Sequence, residues 1–93
     1  MRLDASERLI FGPGVRLKED PVRETWVLLS PERAQLLDKS GLAILNALDG
    51  SRSLQEVAAT LAARFKAPVE QVQADVLAFV TPLVERRILD RAA

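Results

Sequence analysis

The sequence contains no cysteine, no histidine and no tyrosine. These absences exclude disulfides, thiolate nucleophiles, iron–sulfur ligation by cysteine, zinc sites built on histidine, and Ser-His or Cys-His pairs. The sequence also lacks both glycine-rich phosphate-binding motifs, G-x-x-x-x-G-K-[ST] and G-x-G-x-x-G. The adjacent carboxylates Glu19 and Asp20 precede Pro21 in a predicted turn, where we expect them to be solvated. We therefore predict that the chain is not an enzyme, with no catalytic residue, metal or cofactor.

Charge of neither sign dominates the chain. Its 93 residues include 13 Lys and Arg against 13 Asp and Glu, and 48% of them are hydrophobic. This length suits one small domain, and the neutral balance does not indicate a polyanionic partner. No run approaches the roughly 20 apolar residues of a membrane span, and the N-terminal MRLDASERLI lacks the apolar region of a signal peptide. We expect a cytoplasmic protein without membrane contact.

The N-terminal third reads as a β-hairpin. Residues 15–18 alternate apolar and basic side chains, residues 19–23 contain the turn pair Asp20-Pro21, and residues 25–29 are β-branched, aromatic and apolar. The second strand is apolar on both faces. Either both faces are covered or Trp26 is partly exposed, and a lone tryptophan is most often part of the core.

Residues 33–37 form a short segment of ambiguous structure. Pro31 cannot donate a ladder hydrogen bond, so the preceding strand must stop or turn there. Alternation places Arg33, Gln35 and Leu37 on one side, which is typical of a short edge strand. The first turn of the next helix is the alternative, and the residue types alone leave both open.

Three helices follow. Asp38 can cap a helix through about Leu48, with Gly50 as a left-handed stop. Ser53 and Glu56 form a capping box for a second helix. The apolar face of that helix contains Leu54, Val57, Ala58, Leu61 and Phe65. The third helix is predicted to start at Pro68 and to run towards Arg87. Because Pro82 projects from its polar side, we expect it to bend the helix rather than to end it.

The third helix has a wide apolar face. At 100° per residue its apolar side chains span an arc of roughly 160°, wider than the stripe that packing on one core requires. These residues are Val69, Val72, Val76, Leu77, Phe79, Val80, Leu83 and Val84. Part of the surface is therefore left for a partner, unless the helix lies between two layers.

The predicted fold is α+β and winged helix-turn-helix-like, with an N-terminal three-stranded antiparallel sheet followed by three helices. That shape raises DNA binding as an alternative function, that of a neutral winged-helix transcriptional regulator. The third helix, however, begins VEQVQAD, with two acids and no base, and clustered Lys or Arg are what phosphate recognition needs. We therefore expect no nucleic-acid partner.

An ordered series of short motifs resembles the pyrroloquinoline quinone (PQQ) biosynthesis protein D family, PqqD. The matching residues are Trp26-Val27-Leu28-Leu29, Pro31-Glu32, Leu37-Asp38, Gly41, Ile44-Leu45, Asp49-Gly50, Arg52-Ser53, Glu56-Val57-Ala58, Phe65, Asp75-Val76 and Phe79. The likeness runs from about Val15 to Leu89. It suggests an N-terminal arm over residues 1–14 and one peptide-binding domain over residues 15–93. Lys39-Ser40 departs from the family pattern, which leaves the start of the first helix uncertain.

The resemblance implies a peptide chaperone, the recognition domain for a ribosomally made and modified peptide. It would bind the precursor peptide PqqA and present it to the radical SAM enzyme PqqE. The peptide would extend the sheet in a groove between the third strand and the third helix. The implied peptide-binding residues are Arg33, Ala34, Gln35, Leu36, Leu37, Val72, Asp75, Val76, Phe79 and Leu83. The resemblance and the wide apolar face together favour a strand at residues 33–37. Its open edge could equally accept a second copy of the chain, so a homodimer is an alternative.

Overall fold

The computed structural model describes residues 3–92, which form five strands and three helices. In chain order they are β1 (Leu9–Phe11), β2 (Arg16–Asp20), β3 (Thr25–Leu29), β4 (Ala34–Leu37), α1 (Lys39–Ala47), α2 (Leu54–Phe65), α3 (Val69–Glu85) and β5 (Leu89–Arg91). Strands β2, β3 and β4 form one antiparallel sheet in that order, and β1 pairs with β5 in a second. The α+β class, the three-stranded antiparallel sheet and the three helices are confirmed.

The β2–β3 hairpin turns where Asp20-Pro21 predicts it. The Asp20 carboxylate accepts hydrogen bonds from the backbone N–H groups of Val22 and Arg23, at 3.1 and 3.3 Å. Leu28 is buried opposite Leu17 on the inner face of the sheet. Val27 lies half-buried on the outer face, where no helix or second sheet of the described chain packs against it. The sheet is therefore covered on one side only.

β4 begins after a tight corner at Pro31 and Glu32. The Ser30 N–H donates to the Arg33 carbonyl at 2.9 Å, and the Ser30 hydroxyl donates to the same oxygen at 3.1 Å. The chain then runs antiparallel to β3, with Leu37 opposite Trp26. The strand interpretation of this segment is confirmed, and the helix starts only at Lys39.

Helix α1 is capped by Asp38, whose carboxylate accepts from the Gly41 N–H at 2.7 Å. The helix ends at Ala47, followed by Leu48 in an extended conformation. The prediction that Gly50 stops the helix is wrong. Gly50 is left-handed, with φ of 79°, but it lies beyond the end of the helix. A Cβ at Gly50 would lie 2.7 Å from Ile10 Cγ2, so the glycine also makes room for β1.

Gly41 makes a close contact between α1 and α3. A Cβ at this position would lie 3.1 Å from two atoms of the Phe79 ring and 3.3 Å from Asp38 Oδ1. A contact of that length is tighter than ordinary van der Waals separation. The glycine, which weakens the first turn of α1, thus lets the Phe79 ring lie against that turn.

The predicted capping box starts α2. Glu56 N–H donates to Ser53 Oγ at 3.1 Å, and Ser53 N–H donates to Glu56 Oε1 at 2.9 Å. Leu54, Val57, Ala58 and Leu61 are buried as predicted. Phe65, the last residue of that predicted apolar face, is not buried: it ends α2 and is 54% exposed, with the Arg64 guanidinium 5.3 Å from its ring centroid.

Helix α3 continues through Pro82, which is exposed, as predicted. It ends in a Schellman motif, in which Ile88 N–H donates to Leu83 O at 2.9 Å and Arg87 N–H to Val84 O at 3.0 Å. Arg87 occupies the left-handed position of this motif, where glycine is usual, with φ of 60°. Its conformation directs the chain from α3 straight into β5.

The short strands β1 and β5 were missed by the sequence analysis. Leu9 and Leu89, one in each strand, are both fully buried, and Gly12 N–H donates to Ile88 O at 2.8 Å. Three residues are too few to show the alternation by which strands are recognised. The described residues of the predicted N-terminal arm therefore pack on the core. The division of the chain at residue 14 stays a prediction. Residues 1 and 2 of the arm and residue 93 of the predicted domain lie outside the described residues.

We expect Ser53→Ala to lower the free energy of unfolding by about 1 kcal/mol, because it removes the side-chain half of the capping box. Urea titration followed by circular dichroism measures the change. Ser51→Ala is the matched control, since Ser51 is exposed and precedes the helix. Equal losses in the two variants would contradict the assignment.

The capping box also predicts a pH dependence. Hydrogen bonds from the Ser53 backbone N–H and then from its hydroxyl hold the pKa of Glu56 below its ordinary value of 4.5. The ionised carboxylate therefore stabilises the fold above that value, and this contribution is lost as the pH falls through the lowered pKa. Against a Glu56→Gln variant, we expect the stability advantage of the wild type to be constant near neutrality and to shrink in acid. An advantage that persists unchanged in acid would contradict this account.

The Gly41–Phe79 contact predicts a non-additive pair of substitutions. Glycine to alanine inside a helix usually stabilises by roughly 0.5–1 kcal/mol. We expect Gly41→Ala to give no such gain in the wild type, because the new methyl group meets the Phe79 ring. In a Phe79→Ala background the gain should return, as a double-mutant cycle of urea midpoints would show. Equal effects in both backgrounds would mean that the ring does not restrict position 41.

Candidate functional site

The open edge of β4 exposes unpaired backbone groups. In an antiparallel pair, hydrogen-bonded residue pairs alternate with pairs whose N–H and C=O groups point away from the neighbouring strand. Ser30 and Arg33 form a hydrogen-bonded pair, so the register makes Gln35 and Leu37 hydrogen-bonded to β3 as well. The Thr25 hydroxyl, which donates to Leu37 O at 3.0 Å, marks the side that this carbonyl faces. Ala34 and Leu36 therefore direct two N–H and two C=O groups to the open edge.

The same register gives β2, at the other edge of the sheet, an equivalent pair of outward residues. Trp26 and Leu28 form their backbone hydrogen bonds with β4, so the residues that alternate with them along β3 form theirs with β2. In β2, Leu17 and Glu19 therefore point their backbone groups outward. That edge carries charged side chains along most of its length, in the sequence RLKED. Charge of this kind is how sheet edges are protected from pairing. β4, with the sequence AQLL, has none.

A groove of about 320 Å³ lies beside the open edge of β4. Gln35, Leu36 and Leu37 form one wall, and Asp75 and Phe79 of α3 form part of the other. The groove is therefore bounded by a strand edge on one side and by an aromatic ring and a carboxylate on the other. An extended chain placed there would meet backbone hydrogen-bonding groups and an apolar surface at once.

The start of α1 supplies the residues of the groove that the sequence analysis missed. Asp38, Ser40, Gly41 and Ile44 all line it. They lie there because the helix begins directly after the edge strand, and the Asp38 cap holds its first turn against the Phe79 ring. The signal that could have found them is the absence of any linker between β4 and the cap residue.

The predicted binding residues fall into two groups. Gln35, Leu36, Leu37, Asp75 and Phe79 are brought together in the groove. The others are Arg33, Ala34, Val72, Val76 and Leu83. Of these, Val76 is 1% exposed and Leu83 is 3% exposed, so both face the core.

The remaining three predicted residues lie around the groove. Val72 is half-buried on α3, one turn before the groove residue Asp75. Ala34 lines the outer face of the sheet, and Arg33 lines a separate cavity at the β3–β4 corner. Ala34 nonetheless contributes its backbone to the open edge. The binding roles of all ten residues stay predictions.

Asp75 supplies a carboxylate to the α3 side of the groove. The Asp75 carboxylate accepts from Gln71 Nε2 at 3.0 Å, and both residues are exposed. Trp26 lies on the inner face of β3, opposite Leu37, and is half-buried. Its indole is therefore placed one strand away from the open edge, where it can report on occupation of the groove.

The part of the chain that the structure describes contains no cluster of metal-ligating side chains and no membrane-spanning helix. No group of three or more acidic side chains there is arranged to hold an ion. Among residues 3–92, no helix combines the length and apolar character needed to cross a membrane.

Comparison with known proteins identifies the family. The family model of Coenzyme PQQ synthesis protein D (PqqD) matches residues 25–89. A PqqA binding protein of Rhizobium meliloti (strain 1021) is 53% identical, over 83% of this chain and 79% of the relative. A PqqA binding protein of Xanthomonas campestris pv. campestris (strain 8004) is 43% identical, over 82% of this chain and 83% of the relative.

Solved structures agree with this family. The solution structure of the PqqD truncation of Methylobacterium extorquens PqqCD, a RiPP recognition element, is 33% identical with a TM-score of 0.84, covering 97% of this chain and 96% of the other. The crystal structure of PqqD from Xanthomonas campestris is 42% identical with a TM-score of 0.61, covering 84% and 87%. A recognition element is a binding protein, which confirms the prediction that the chain is not an enzyme. The resemblance seen in the sequence is confirmed: this chain belongs to the PqqD family.

Proposed function

We propose that this chain binds the precursor peptide PqqA in PQQ biosynthesis by adding the peptide as a strand to β4, and presents it to the radical SAM enzyme PqqE. The observation that carries the proposal is the open edge of β4, where Ala34 and Leu36 direct four backbone groups outward. The names of the relatives, which are PqqA binding proteins, supply the ligand.

Strand addition divides affinity and selectivity between two surfaces. The outward groups of β4 bind any extended backbone, and the groove beside them selects side chains. Phe79 offers an apolar contact in that groove, and Gly41 leaves room for its ring. Leu36 is 55% exposed and continues the apolar surface onto the outer face. A peptide strand with apolar side chains at alternate positions, all on the face that meets the groove, would fit Phe79.

The chemistry belongs to the partner. A chain without cysteine cannot hold an iron–sulfur cluster through thiolates, so the radical step has to occur on PqqE. The role of this chain is to immobilise an extended segment and leave the modified residues free. The winged helix-turn-helix-like arrangement and the cytoplasmic location are part of the same proposal.

A proline in the edge strand tests the proposal. We expect Leu36→Pro to weaken PqqA binding at least about tenfold, because it removes an outward N–H, places a ring on the edge and leaves the β3 pairing intact. Titration of synthetic PqqA followed by Trp26 fluorescence measures the effect. The same variant should fail to support modification of PqqA by PqqE. A proline at Gln35 is unsuitable, since the Gln35 N–H bonds to β3.

Two variants serve as controls. Glu19→Pro places a proline at an outward position of the opposite sheet edge and should leave PqqA binding unchanged. Leu36→Ala keeps the edge N–H and should reduce affinity less than the proline does. Equal binding by Leu36→Pro and wild type would refute strand addition at β4. If the wild-type chain binds duplex DNA but not PqqA, a winged-helix regulator is favoured instead. Sedimentation measures the oligomeric state, and so shows whether a second copy of the chain occupies the β4 edge.

A further inference from the structure

A second cavity, of about 460 Å³, lies at the corner between β3 and β4. It is lined by Arg33 at the corner and by Arg86 and Arg87 at the end of α3. Val15 and Ile88 contribute apolar surface, and Glu32 is the one acidic residue of the lining. The lining of the cavity therefore includes three arginines and a single acidic residue, in a chain whose formal net charge is zero.

The three guanidinium groups are not engaged by neighbouring carboxylates. The ion pairs among the described residues join Arg23 to Asp20, Arg52 to Asp49 and Arg91 to Glu7. Arg33, Arg86 and Arg87 belong to none of these pairs, and all three are exposed. Guanidinium groups bind carboxylates through two parallel hydrogen bonds, so this cluster favours a ligand that carries carboxylate groups.

The backbone that carries two of the three arginines is tightly held. Both backbone groups of Ile88 are hydrogen-bonded: its N–H donates to Leu83 O, and its C=O accepts from Gly12 N–H at 2.8 Å. Arg87 adopts the left-handed conformation, with φ of 60°, which is unfavourable for a residue other than glycine. A glycine there would relieve this strain, yet the sequence has an arginine at this position, and that arginine lines the cavity.

The cavity and the peptide groove lie along one strand and one helix. The groove joins Leu36 to Phe79, and the cavity joins Arg33 to Arg86. Three residues of strand and seven residues of helix both measure roughly 10 Å, so α3 runs beside β4 in the opposite direction. A strand added to β4 that extends about three residues past the Phe79 contact would therefore arrive at the arginines.

We propose that Arg33, Arg86 and Arg87 form an anion-binding subsite, which binds an Asp or Glu side chain of the peptide about three residues from the position that contacts Phe79. This subsite rests on the proposed binding of PqqA to β4 and adds a charge requirement to it. Backbone hydrogen bonds form with any peptide sequence. An acidic residue at a fixed distance from the Phe79 contact sets the register in which the peptide pairs with β4. The cluster thus selects which segment of the peptide adds to the sheet.

The test compares two triple variants of the full chain with the same loss of charge. One is Arg33→Gln, Arg86→Gln and Arg87→Gly, in which the glycine also relaxes the left-handed position and so favours folding. We expect its affinity for synthetic PqqA, measured by Trp26 fluorescence at physiological ionic strength, to fall about tenfold, since several exposed ion pairs are lost. Salt should weaken wild-type binding more than binding by this variant.

The control is Arg23→Gln, Arg52→Gln and Arg64→Gln, three exposed arginines outside both the groove and the cavity. It lowers the net charge equally and should change affinity by less than about twofold if long-range attraction is screened. Urea titration verifies that both triple variants are folded. An equal loss of affinity in the two would show a general charge effect and overturn the subsite.

Peptide variants locate the acidic partner. Each Asp or Glu of PqqA is replaced in turn by Asn or Gln and titrated against wild type and the cavity variant. One replacement should weaken wild-type binding and have no further effect on the cavity variant. If wild type binds PqqA and neither the cavity variant nor any acid replacement changes its affinity, the subsite is wrong and strand addition stands. If wild type does not bind PqqA, the proposed function itself fails.

Discussion

The hydrogen bond from Ser30 N–H to the Arg33 carbonyl sets the register of the β3–β4 hairpin, and the rest of the candidate site depends on it. A shift of one residue would exchange the two faces of β4 and turn the outward N–H groups of Ala34 and Leu36 towards β3. Proline at position 31 supports this register, because it fixes one backbone angle of the corner and ends the preceding strand. The edge is open because the chain enters α1 directly after Leu37 and never returns to pair with β4.

Helix α3 completes the site because its wide apolar face serves two purposes. Val76, Val80, Leu83 and Val84 are buried in the core, whereas Phe79 is half-buried and borders the groove. Pro82 does not interrupt this helix, and the Schellman motif that ends it turns the chain into β5. Pairing of β5 with β1 then fixes the end of α3 against Gly12. The two short strands therefore hold in place the helix that forms one wall of the groove.

Much of this architecture was predictable because it depends on local chemistry. Ser53 and Glu56 satisfy each other's backbone N–H groups within one turn, so the start of α2 needs no tertiary contact. Phe65 continues the same apolar spacing but is exposed, because spacing within one helix cannot show that the core ends before the helix does. Gly50 has the left-handed angle expected of a helix stop, but the helix ends earlier and the glycine instead makes room for Ile10.

The sequence by itself determined the class of the protein: a neutral α+β domain with an N-terminal β-hairpin and capped helices, in which the segment between Pro31 and Asp38 could be a short strand or the start of a helix. Composition, capping and periodicity act over a few residues, so they are legible without a structure. Only the tertiary structure decided which backbone groups of β4 remain unpaired, because their direction follows from the register with β3. It also decided that Val76 and Leu83 face inward while Asp38 and Gly41 join the groove, and that Arg33 lines one cavity with Arg86 and Arg87. These contacts join residues far apart in the chain, and side-chain spacing within one element carries no information about them.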